Sequence, residues 1–163
     1  MPRLIRIIAW SELAGGIIGF AFYLGVLVRG GMPGGVVNGV LGLFAFAIAA
    51  AAGWFLRQDR TSGYWGSVVV YTLQCFQLGT PSILLQFVTG LQAPLILRST
   101  EWKVSPGVGI SFSAAPILGD QEPFVAVNFF ALGAVGYLLW RLSRSEVVAP
   151  ALRVHEPTGS GAP

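Results

Sequence analysis

Four apolar stretches, Leu4–Val28, Val36–Leu56, Tyr64–Val88 and Phe124–Leu142, dominate this 163-residue chain. A hydrocarbon core of about 30 Å is crossed by about 20 helical residues, and each stretch reaches that length or comes close to it. Helices of water-soluble domains carry an apolar stripe on one side rather than apolar residues all round. Charged residues make up only 10% of the chain and hydrophobic ones 54%, against about 25% charged in an ordinary soluble domain. So few charges cannot cover a water-facing surface. The sequence predicts an all-α integral membrane protein. It would be a four-transmembrane-helix bundle over residues 1–142, with a small β-hairpin in the outer loop (90–123) between helices 3 and 4, and a polar cytoplasmic tail over 143–163.

Short breaks join the stretches. Gly30-Gly31-Met32-Pro33-Gly34-Gly35 combines residues free to take positive φ with one that stops a helix, so the second helix is expected to return antiparallel to the first. Arg57 to Gly63 is a polar turn. Pro81, late in the third stretch, predicts a helix bend. In the outer loop, Pro94–Ser99 and Gly109–Ser113 flank the turn signal Ser105-Pro106-Gly107. The second of these alternates apolar and polar residues, the strand period. The tail ends in Pro157–Pro163, a linker-like composition. Arg3 and Arg6 precede the first stretch as in a signal peptide, but no small-residue cleavage site follows. That stretch is read as a retained helix.

Orientation follows from the basic residues. With the N-terminus inside, Arg3, Arg6, Arg57, Arg60, Arg141, Arg144 and Arg153 are cytoplasmic, and only Arg29, Arg98 and Lys103 are outside. The positive-inside rule favours this arrangement in a plasma (inner) membrane, with both termini cytoplasmic. Trp10, Trp54, Trp65 and Trp140 fall near the inner helix ends, where indoles anchor at the headgroups.

Glu12 is the residue of greatest chemical interest, because an ionisable group inside a membrane is costly and marks function by default. The bland alternative is a carboxyl tied up by hydrogen bonds. Gln74 and Gln77, at i and i+3, share a helix face and with Glu12 form a candidate intramembrane polar cluster. It would act as interhelical glue or line a polar path. Gly15, Gly19, Gly35, Gly39, Ala45, Ala49 and Gly53 make small-residue faces for close helix packing. Cys75 is the only cysteine and reads as a packing residue.

Other chemistries lack their residues. His155, the only histidine, lies in the tail, so a bound lipid or pigment would have no histidine ligand from this chain at membrane depth. No metal-ligand spacing, phosphate loop or basic stripe for nucleic acid is present, and neither a cofactor nor a catalytic residue is expected. The chain is expected to be a non-catalytic membrane subunit or accessory protein that packs against other integral membrane proteins and lipids, for example in a respiratory or photosynthetic assembly. The competing expectation is a small transporter or channel with Glu12, Gln74 and Gln77 along its path.

Overall fold

A computed structural model of the chain describes residues 1–30, 35–98, 101–116 and 122–144. Three helices come first: α1 (Arg3–Val28), α2 (Gly35–Arg57) and α3 (Thr61–Cys75). Six strands follow: β1 (Phe76–Gly79), β2 (Ile83–Gln92), β3 (Pro94–Arg98), β4 (Trp102–Val104), β5 (Gly107–Pro116) and β6 (Phe124–Asn128). The helix α4 (Phe129–Arg144) comes last. The strands form one antiparallel sheet in the order β4-β3-β6-β1-β2-β5.

The sheet overturns the all-α four-helix expectation. The third apolar stretch is helix only to Cys75 and then becomes β1 and β2; the fourth is β6 followed by α4. Only α1 and α2, among the described residues, are long and apolar enough to cross a membrane. The physical reason is that a continuous apolar run suits a buried strand as well as a buried helix. Past Cys75 the residues favour strand: Phe76, Ile83, Phe87, Val88 and Thr89 are aromatic or β-branched. Pro81 is not a helix bend. It sits in the turn between β1 and β2, where its missing N–H costs no ladder bond. Thr80 Oγ1 accepts from the Ile83 N–H at 2.9 Å, and the Thr80 N–H donates to the Ile83 carbonyl at 2.8 Å.

The expected outer hairpin is also corrected. Both of its strands exist, but they do not pair with each other. β3 lies between β4 and β6, whereas β5 pairs along its whole length with β2, from Ile83↔Pro116 to Gln92↔Gly107. Of the loop 90–123, most described residues are therefore part of the main sheet. The turn at 31–34 and the tail beyond Arg144 lie outside the described residues.

Two apolar cores hold the layers together. One joins all four helices near the basic end through Ile5, Ile8, Leu56, Tyr71, Ala131 and Leu138. The other joins α1, α2 and α3 to the β2–β5 ribbon through Tyr23, Phe46, Ala49, Val70 and Phe87, with Phe112 against it. Phe87 packs on Phe46 and on Phe112, with ring centroids 5.7 and 6.0 Å apart.

Close approach depends on glycine at the helix–sheet contact. A Cβ on Gly15 would lie 2.5 Å from the Gly90 nitrogen, and one on Gly90 would strike the Ser11 backbone. Gly90 also has φ +82°, a conformation costly for other residues. The prediction is that Gly90→Ala lowers unfolding stability by about 1–3 kcal/mol. Gly133→Ala, in α4 with open space around it, should instead raise stability by up to about 1 kcal/mol. Thermal unfolding of both variants in one detergent measures the difference.

Candidate functional site

In an antiparallel pair, alternate residues turn their N–H and C=O away from the partner strand. In the β2–β5 ribbon these outward residues are Thr89 and Leu91 on one edge and Phe112 and Ala114 on the other, as their bonding shows. β1 pairs only with the far end of β2, at Leu84 and Leu85, so the lower half of β2 has no neighbouring strand on that side. A buried backbone group without a partner is costly.

Helix side chains supply the missing partners. Gln74 Oε1, at the end of α3, accepts from the Thr89 N–H at 3.2 Å. Ser11 Oγ, on α1, accepts from the Leu91 N–H at 2.8 Å. On the other edge the Tyr23 hydroxyl accepts from the Phe112 N–H at 2.9 Å and donates to the Phe112 carbonyl. Asn38 Oδ1 on α2 accepts from the Ala114 N–H at 2.9 Å. At the corner between β2 and β3, Asn128 Oδ1 accepts from the Ala93 N–H at 2.9 Å and from the Ala131 N–H at 3.4 Å. The second of these bonds is that of an N-cap residue to the third helical position of α4. These polar side chains thus join helix to sheet rather than helix to helix.

Glu12 lies on the same seam. It has no exposed surface, and its Oε2 accepts from Ser67 Oγ on α3 at 2.5 Å. Tyr71, one turn beyond Ser67 and also fully buried, donates to the Ile8 carbonyl at 3.4 Å. Thr89 Oγ1 sits against Gly15, one turn along α1 from Glu12. Among the described residues Glu12 Oε1, Gln74 Nε2 and Thr89 Oγ1 have no hydrogen-bond partner. Buried acceptors and donors of this kind are commonly met by ordered water. Among the described residues no group of three His, Cys, Asp or Glu could hold a metal ion.

The other residues singled out from sequence are distributed around this seam. Gln77 is buried on β1 opposite Ala126; it and Gln74 do not share a helix face, because α3 has ended between them. Gly19 lies beneath the Phe46 ring, and Gly53 meets the α1 backbone at Ala9 and Leu13. Gly39 and Ala49 are buried on α2, and Ala45 packs at the edge of the second core. Gly35 has φ +83° with open space around it. Arg57 stacks on Trp10 at 4.1 Å and lies 5.6 Å from Trp54, and Arg144 stacks on Trp140 at 4.8 Å. Trp65 is exposed on α3, and Cys75 is buried, its thiol donating to the Tyr71 carbonyl.

Ser67, Tyr23 and Thr89 carry one sequence signal, a hydroxyl within an apolar run, which marks a buried polar contact. No protein-family model, curated protein or solved structure matches the chain.

Tyr23→Phe strands both backbone groups of Phe112 and should cost about 1–3 kcal/mol for each, whereas the exposed Ser143→Ala should stay within about 0.5 kcal/mol. Equilibrium unfolding in detergent reads both. Ser67→Ala removes the donor to a buried carboxyl and should cost about 1–3 kcal/mol. A double-mutant cycle with Glu12→Leu should give a coupling of at least about 0.5 kcal/mol.

Proposed function

We propose that this protein is a non-catalytic subunit or accessory protein of a larger membrane assembly, docked through the outer face of its sheet. α1 and α2 are about 39 and 35 Å long, enough for a bilayer. α3 alone is about 22 Å, short of a span, but β1 continues it by about 13 Å. β6 and α4 combine in the same way, and β1 and β6 lie side by side. In this reading the bundle and the inner part of the sheet occupy lipid together, with the arginine- and tryptophan-rich end on the cytoplasmic side as the charge bias favours.

The observation that carries the reading is a row of uncovered apolar side chains across four strands. Leu97, Val125, Leu78 and Leu85 are direct cross-strand neighbours and are 40, 46, 39 and 47% exposed. Phe76 and Ile83 extend the row. Beside it runs β4, an edge strand with Trp102, Lys103 and Val104 exposed. Lipid can cover apolar side chains but cannot bond an open strand edge. In this reading a partner protein meets that edge and the row beside it. Gln74, Ser11, Tyr23, Asn38 and Asn128 are each engaged with strand or corner backbone, which favours a structural role for them over chemistry.

The test is site-specific photo-cross-linking in native membranes, at Val125 on the sheet and at Ile48 on the outer surface of α2. The expected result is one discrete membrane-protein adduct from Val125 and none from Ile48. Val125→Asp should abolish co-purification in mild detergent while leaving unfolding stability within about 1 kcal/mol, since the site is exposed. A chain that purifies alone and cross-links only to lipid from both positions contradicts the reading.

A further inference from the structure

A groove of about 440 Å³ runs along the opposite side of α1 from the helix bundle, between that helix and the β2–β5 ribbon. Ile7, Ala14 and Ile18 form its helical wall, and Leu91, Val108 and Ile110 its strand wall. Its surface is almost wholly apolar. Arg6 stands at one end beside Trp10, and Arg57 stacks on the same Trp10 ring at 4.1 Å. Among the described residues no other charged side chain lines it.

We propose that this groove is a specific site for one anionic phospholipid, with an acyl chain between α1 and the ribbon and the phosphate at Arg6. The proposal rests on the membrane reading above. Three features select the ligand. From Arg6 to Ile18 the helix rises about 18 Å, close to the depth of one leaflet of a hydrocarbon core about 30 Å thick. The single charge lies at the end and is positive, the pattern of an amphiphile whose head is anionic. Trp10 and Arg57 place that end at headgroup level, where indoles and arginines concentrate. Basic pockets at helix ends on the cytoplasmic side recognise anionic lipid heads in the same way.

The groove also has a structural consequence. Val108 is exposed on β5, next to the ribbon edge that Tyr23 and Asn38 cover further along. An acyl chain in the groove would cover the Val108 and Ile110 side chains. An extended peptide is disfavoured as occupant, because the walls offer it almost no polar surface with which to bond.

The experiment reconstitutes the full chain in nanodiscs of equal phosphatidylglycerol and phosphatidylcholine. Lipid retained after transfer to mild detergent is then measured by native mass spectrometry. One retained phosphatidylglycerol per chain is expected, enriched about fivefold over phosphatidylcholine, the factor from one arginine near an anionic surface. Arg6→Gln should bring the ratio to one, and Arg6→Lys should keep most of the preference. Ala14→Phe, at an exposed position within the groove, should reduce retention of both lipids without changing thermal stability in detergent. Equal retention of the two lipids by the unaltered chain, or an unchanged preference in Arg6→Gln, overturns the site. A polypeptide retained in place of lipid also overturns it. A chain that stays dissolved without detergent and does not enter nanodiscs refutes the membrane reading instead, which separates the two failures.

Discussion

The structure depends on one constraint: a two-stranded ribbon laid against apolar helices must have both of its backbone edges bonded. Five side chains meet it at Thr89, Leu91, Phe112, Ala114 and the corner at Ala93. Gln74 and Ser11 take one edge, Tyr23 and Asn38 the other, and Asn128 the corner. Each comes from a helix or from the residue next to one, so the same bonds that complete the ribbon fix where it sits. Glycine makes the geometry possible, because Gly15 and Gly90 let helix and strand backbones approach with no side chain between them. Removal of Gln74 would leave the buried Thr89 N–H without its partner, at a cost in stability.

Helix and strand are also joined directly along the chain. α3 passes directly into β1, and β6 directly into α4. At 15 and 16 residues these two helices are shorter than α1 and α2. β1 and β6 pair with each other and each has a further strand on its other side, so their backbone needs are met within the sheet. The polar seam at Glu12 lies where helix α1, helix α3 and strand β2 meet. One oxygen of its carboxyl is engaged by Ser67, and the side chain has no exposed surface.

Part of this architecture is legible in the sequence. The first two stretches, with continuous apolar residues and a Gly-Pro break between them, read as α1 and α2. The alternation at Gly109–Ser113 reads as a strand, and it lies in β5. The third stretch is not legible, because the change from helix to strand at Cys75 and Phe76 occurs within an unbroken apolar run. Gly79-Thr80-Pro81-Ser82 is the one punctuation, and a proline there fits a kinked helix as well as a turn. Gln74 is visible as an amide within an apolar run, but its partner, Thr89, is 15 residues away, and the Asn38–Ala114 contact spans 76. Hydrophobic pattern carries local period, not long-range pairing, so the sealing of the sheet by helix side chains could not be read from it.

The most direct test is the separation of Gln74 and Thr89 in the protein reconstituted into bilayers. If the third apolar stretch were one helix, 15 residues would place them about 22 Å apart. The seam instead puts the Gln74 side-chain carbonyl in hydrogen-bond contact with the Thr89 amide. Solid-state NMR recoupling between the Gln74 side-chain carbonyl carbon and the Thr89 amide nitrogen reads this distance. A strong dipolar contact is expected; its absence, with helical shifts unbroken from Thr61 to Val88, would contradict the account.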